Sequence, residues 1–353
     1  MSSKSFHVLG IMSGTSLDGI DVVRVRFDFS DTWNFKILEA KTHPYPDEWH
    51  MRLTHVMKLS QDEVDVLDQD FTQYLGQLLQ PYISSSLYPP LDFVSSHGHT
   101  VFHQPHKGIT LQIGNLPQLA KILQCKVICD FRVADVALGG QGAPLVPGGE
   151  VQLFSSYAAC LNLGGFANVS ILNQNPIKAY DLCGVNIVLN HWANKLGLVY
   201  DAGGQLARKG KPLPQLKDEL DRLPFYHQAP PKSLGKEWIL NEVLPLMERY
   251  VSEGIPNLLH TYVLHIAEVI AAHLPKNENT LVTGGGAYHD FLIASINQNL
   301  ANPLVLPSKT LIEFKEALIF AFLGVLRHLG ESNCLASVTG ASKDHSSGKI
   351  FEF

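Results

Sequence analysis

The stretch VLGIMSGTSLDGIDVVRVRF, Val8 to Phe27, reads as strand, tight polar turn and strand. Val8, Leu9, Ile11 and Met12 form an apolar run. Ile20, Val22, Val23, Val25 and Phe27 continue with β-branched side chains in partial alternation, the mark of a half-buried strand. Between them, Gly14, Thr15, Ser16, Leu17, Asp18 and Gly19 make a tip rich in hydroxyls and backbone N–H groups. Glycines there let the backbone turn sharply or approach a ligand. Such a tip is an anion cradle. Asp18 and Asp21 beside it are poor phosphate ligands but suit Mg²⁺, usually through water. The composition alone fits an ordinary hairpin turn as well.

The chain has 353 residues, enough for two domains or one large one. It is 45% hydrophobic and 17% charged, so a substantial core is expected. A net charge of −6 argues against a general nucleic-acid binder. The first ten residues carry no apolar signal region, and the apolar run Ala317 to Leu326 is short for a membrane span. Five cysteines without a CxxC pair read as reduced thiols of a cytoplasmic protein. Cys125 and Cys129 read as neighbours on one strand face.

Further strands are expected over 31–40, 91–95, 110–113 and 125–129, with helical spacing over 49–87 and a helix over 118–123. After the 91–95 strand come His97, His99, His103 and His106, whose spacing does not resemble a closed zinc site. Asp130-Phe131-Arg132 and Asp135 then precede Gly139-Gly140-Gln141-Gly142, a loop where backbone approaches something closely. That loop fits a domain connection or ligand binding. Arg132 is a planar donor suited to a carboxylate. A second glycine-tipped hairpin is expected at 158–173, turning at Gly164-Gly165. Asp181 is read at a strand end before a helix at 187–196, the place of a cleft mouth in α/β folds. Helix 261–274, strand 281–283 with Gly284-Gly285-Gly286, and helix 314–329 complete the pattern. Glu316, a carboxylate in that apolar last helix, needs a partner or a ligand.

The string GIMSGTSLDGID, Gly10 to Asp21, resembles the opening signature of the anhydro-N-acetylmuramic acid kinases. SHGHTVFHQP, DFRVADVALGGQGAPLVP and SVTGA resemble later family stretches, in order along nearly the whole chain. The resemblance implies a two-domain α/β fold of the sugar-kinase/actin-like (ribonuclease H-like) class with a central cleft. It implies a first lobe over 1–135, rejoined by a C-terminal helix at 311–353, and a second over 136–310. By the same resemblance, Gly14 to Asp21, Ile20 among them, and Gly164-Gly165 hold the phosphates of ATP with Mg²⁺. Gly284 to Gly286 hold the adenosine, and Asp181 is the catalytic base. His97, Arg132, Asp135 and Glu316 line the sugar. Asp18 is the candidate metal contact, through water. The implied reaction opens the 1,6-anhydro ring of 1,6-anhydro-N-acetylmuramic acid with water and phosphorylates O6, in cell-wall recycling, in a cytoplasmic homodimer without nucleic-acid or membrane partners.

Two departures stand out. His99 stands where the family more often has glutamine. Where the family has FDTGPGN, this chain has Tyr180-Asp181-Leu182-Cys183-Gly184-Val185-Asn186. The lost threonine and glycine leave open a same-fold kinase for another sugar, or a catalytically silent sugar- or nucleotide-binding protein.

Overall fold

Two sheets organise the chain, and the hairpin at Val8 to Phe27 opens the first. The structure, a computed structural model, describes residues 4–14 and 17–353. Thr15 and Ser16 of the expected cradle therefore lie outside the described residues. The chain divides into two units, Met1–Leu153 with Phe314–Phe353, and Phe154–Glu313.

In the first unit, β1 (Lys4–Ser13) pairs antiparallel with β2 (Ile20–Phe29), Val8 opposite Val25 and Ser13 opposite Ile20. Strand β3 (Trp33–His43) continues the meander. On the other side of β1 lies β4 (Phe93–Gln104), parallel to it, with β5 (Ile109–Ile113) as its antiparallel branch. Then come β6 (Val127–Cys129), parallel to β4, and β11 (Lys349–Phe351), antiparallel at the edge. Period-two alternation sends Leu9, Ile11, Ile20 and Val22 to one face. There they pack with α1 (Asp47–Thr54) and α2 (Gln61–Ile83) through Trp49, Leu67, Phe71 and Leu75. On the other face lies helix Lys309–Leu329. Gly10 admits it: a Cβ there would stand 2.5 Å from the Ala317 carbonyl oxygen.

Three expectations need correcting. The helical spacing over 49–87 is two helices, because Ser60 caps the second in a reciprocal capping box with Glu63. Strand β4 does not stop at Ser95 but carries His97, His99 and His103 within it. Cys125 precedes β6 rather than belonging to it, although both thiols are buried. The first unit also extends beyond residue 135. Helix α3 (Gln118–Leu123) and the short α4 (Val133–Ala137) are followed by α5 (Val146–Leu153), which holds this segment in place. Gly148 lies so close to the Asn333 carbonyl that a Cβ would fall 2.1 Å from its oxygen. Glu150 of α5 forms a buried ion pair with Lys315 at 2.6 Å. Pro147-Gly148-Gly149 hid α5 in the sequence, since two glycines weaken any helical reading.

In the second unit, β7 (Ala159–Leu163), β8 (Phe166–Ile171) and β9 (Lys178–Gly184) form an antiparallel meander. Strand β10 (Thr280–Thr283) pairs parallel with β7. The wiring repeats that of the first unit: a three-strand meander whose first strand takes a later strand parallel on its free side. Helix α6 (Asn186–Asn194) follows β9. Helix Ile255–His273 is the one among the described residues long and apolar enough to cross a membrane. It is a core helix here, with Leu258, Leu259, Tyr262, Val263 and Ile266 fully buried.

Candidate active-site residues

Each unit gathers its own set. In the first, β4 and the segment after β6 bring His97 against Arg132. The Arg132 Nε donates to His97 Nε2 at 2.9 Å, and Nη1 donates to the Gly142 carbonyl at 2.6 Å. His97 Nδ1 lies 2.9 Å from the Gly98 carbonyl oxygen. One tautomer satisfies both contacts: Nδ1 protonated, Nε2 accepting. Burial pushes His97 well below its usual pKa and Arg132 adds to this, so the ring is neutral. Both ring nitrogens are thus engaged by protein, and His97 positions Arg132. Arg132 Nη2 has no hydrogen-bond partner among the described residues. Burial lowers the Arg132 pKa, and Glu316 opposes this most strongly. Crowding by protein raises the Glu316 carboxyl, against the pull of Arg132 and Lys315. Glu316 nevertheless keeps contact with water, which limits that shift.

Asp135 does not face a ligand surface. It is fully buried, accepting from Gly142 N at 2.7 Å through Oδ2 and from the Thr339 hydroxyl at 2.7 Å through Oδ1. It fastens the glycine loop, with Gln141 N donating to the Thr339 carbonyl beside it. The histidines of β4 have separate partners. His99 Nδ1 lies 2.7 Å from Ser13 Oγ, which lies 2.5 Å from the Tyr45 hydroxyl. This chain braces the last residue of β1, at the root of the first hairpin tip. Burial lowers the His99 pKa to about 4, so it acts there as a neutral hydrogen-bonding group. His103 Nδ1 lies 3.1 Å from the Thr110 hydroxyl.

At the tip itself, Leu17 and Gly19 carry the positive φ values, 62° and 152°. Asp18 is exposed, and Asp21 accepts from the Thr42 hydroxyl at 2.5 Å. An exposed carboxylate beside a polar turn fits water-mediated Mg²⁺ contact.

In the second unit, the hairpin tip, the start of α6 and the triple glycine converge. Val185 N and Ile187 N donate to the Gly165 carbonyl, and Asn186 N donates to that of Gly164. The Asn162 side chain lies against both Gly164 and Gly284. A Cβ would come within 3.3 Å of its Nδ2 at the first and 2.7 Å of its Oδ1 at the second. A Cβ on Gly286 would meet that of Leu163 at 2.8 Å. Gly165 faces open space, and Gly285 meets only Asn186 Nδ2, at 3.5 Å. Two of the three glycines therefore let backbone pack on the hairpin, and Gly285 is the open one.

Asp181 sits inside β9, three residues before its end. Its Oδ2 accepts from Leu234 N at 2.8 Å and from Ser233 Oγ at 3.2 Å. Its own N–H donates to the Lys232 carbonyl. Oδ1 has no partner among the described residues. Burial raises the Asp181 pKa, and the two hydrogen bonds oppose this. The geometry is that of a carboxylate fixed by one oxygen and available through the other.

A sequence model of the family described as anhydro-N-acetylmuramic acid kinase matches residues 6–353. The chain belongs to this family. The kinase of that name from Haemophilus influenzae is 32% identical, the match covering 99% of each chain. The one from Chromobacterium violaceum is 33% identical, covering 97% of this chain and 98% of that one. A solved gluconate kinase from Lactobacillus acidophilus, 11% identical, aligns over 93% of this chain and 90% of its own with a TM-score of 0.45. The chain's own wiring is mixed α/β, with an antiparallel meander in each unit whose first strand takes a later strand parallel on its free side.

At the departure from the family pattern over Leu182 to Val185, the side chains of Leu182, Cys183 and Val185 are fully buried in the second unit's apolar core. Ser233 and the Leu234 N–H were missed as the holders of Asp181. The only signal was the run Pro230 to Glu237, which reads equally as a proline-rich linker. Asn162 carried no signal, because an asparagine within a strand becomes notable only beside the glycines it contacts.

Proposed function

We propose that the chain is an ATP-dependent kinase converting 1,6-anhydro-N-acetylmuramic acid to N-acetylmuramic acid 6-phosphate and ADP. Asp181 takes a proton from water through Oδ1, and the water oxygen bonds to C1. The C1–O6 bond breaks, O6 bonds to the γ-phosphorus, and the bond from that phosphorus to ADP breaks. The chain's part is positioning and charge compensation. Arg132 offers Nη2 to the sugar's lactyl carboxylate, with His97 and Gly142 fixing its plane. Glu316 accepts from sugar hydroxyls. The hairpin tips at Gly14 to Asp21 and at Gly164-Gly165 receive phosphate oxygens, and Gly285 receives the adenosine face. Mg²⁺, held through water by Asp18, would neutralise phosphate charge. A cytoplasmic homodimer is the assembly we assign.

The observation that carries this reading is the Asp181 carboxylate. A raised pKa and a free oxygen suit a general base, whereas a binding protein has no need of one. Burial of Leu182, Cys183 and Val185 favours the anhydro sugar over a different one, since these altered side chains do not face solvent. The test is reaction with ATP and Mg²⁺ in ¹⁸O-labelled water over a panel of sugars. Label is expected at C1 of the product, quenched before anomeric exchange, with none in the phosphate. An unlabelled phosphosugar from a non-anhydro substrate would replace this reading with an ordinary kinase.

A further inference from the structure

Cys334 and His345 face each other across an isolated antiparallel bridge, their backbones exchanging hydrogen bonds of 3.1 and 3.2 Å. Residues opposed in this way put their side chains on one face. Asp135 of α4 comes to the same point. One ligand atom from each residue lies within 4.8 Å of the other two, and all three are buried. His345 Nδ1 lies 3.1 Å from the Lys343 carbonyl oxygen, which requires its proton on Nδ1. Nε2 is then a bare lone pair. It is buried without a hydrogen-bond partner, on a side chain only 8% exposed, and stands 3.7 Å from Asp135 Oδ1. Oδ1 already accepts from the Thr339 hydroxyl, so Nε2 is the group left without a partner in a dry interior, a cost that a cation beside both would remove.

We propose that Asp135, Cys334 and His345 form a zinc site in the first unit. Carboxylate, thiolate and imidazole are the ligands zinc takes, and the soft sulfur disfavours Mg²⁺ and Ca²⁺. In a tetrahedral site with arms of about 2.0 Å, ligand atoms stand roughly 3.3 Å apart. The 3.7 Å between Nε2 and Oδ1 needs only a small contraction. The outer shell is in place. Lys343 fixes the histidine tautomer, while Thr339 and Gly142 N orient the aspartate. Three protein ligands leave the fourth position to water or a small anion. The ion would clamp the glycine loop, whose Gly142 carbonyl anchors Arg132, to the C-terminal segment.

The test uses the full-length protein stripped with a chelator. Co²⁺ should give a thiolate-to-cobalt charge-transfer band that Zn²⁺ abolishes, and desalted protein should retain about one zinc per chain. The band should vanish in Cys334→Ser. His345→Gln should weaken zinc retention by more than the ~10–100-fold that losing an outer-shell partner costs. Absence of the band from the wild-type protein overturns the proposal without recourse to any variant. So does equal zinc retention in wild type and His345→Gln, which would leave a proton as the cation between Nε2 and Oδ1.

Discussion

Asp181→Asn should cut kcat by about 10²–10⁴-fold, the usual worth of a general base, with little change in sugar binding. Retention of more than about a tenth of wild-type kcat would remove Asp181 from that role. A base must be deprotonated to act, so activity falls as pH drops through its folded pKa. Burial places that acid limb above the usual aspartate range. The Ser233 hydroxyl stabilises the charged form, so Ser233→Ala should move the limb to higher pH. A limb that stayed put or moved down would contradict the assigned hydrogen bond. Arg132→Ala should raise KM for the sugar far more than KM for ATP; equal rises would end its assignment to the sugar. The two separate motifs carrying Arg132 and Asp181 stand out in the sequence because charged residues between strand and glycine signals are uncommon. The fate of Asp135 does not. Nothing in DFRVAD distinguishes the residue that faces outward from the one that ties the loop to Thr339, two hundred residues on.

Among elements, the two hairpins were legible because β-branched runs on either side of a glycine tip leave few alternatives. The division of labour within Gly284 to Gly286 was not, since it depends on how close Leu163 comes from another strand. That division predicts opposite outcomes for neighbouring substitutions. Gly284 has a φ of 85° and no room for a Cβ beside the Leu163 carbonyl, so Gly284→Ala should lower stability by about 1–3 kcal/mol. Gly285→Val should leave the melting temperature within a few degrees but raise KM for ATP. Thermal unfolding and steady-state kinetics on both variants check this, and equal melting temperatures would contradict it. The same limit applied to α2. Its apolar period was plain, but the break before it rested on Ser60 and Glu63 reaching back to each other, which periodicity cannot register.

For the whole molecule, the two units differ in how the chain supplies them. Phe154–Glu313 is continuous and has its own apolar core. Expressed alone, it should unfold cooperatively and bind ADP without binding the sugar; a fragment with no cooperative transition would refute this. The first unit takes helix Lys309–Leu329 and β11 from the far end of the sequence. The joints of this unit at Leu153 and Phe314 rest on α5, which the sequence concealed. The route of the chain also sets an order of birth. Translation emits residues 4–153 before 154–313, yet their sheet lacks its covering helix and an edge strand until residues 314–351 follow. The later-made unit is complete first, and the earlier one waits, its β1 face uncovered at Gly10. Nascent chains should therefore engage holding chaperones through their oldest segment. A stop codon at residue 314 would leave that segment without its helix while residues 154–313 are complete.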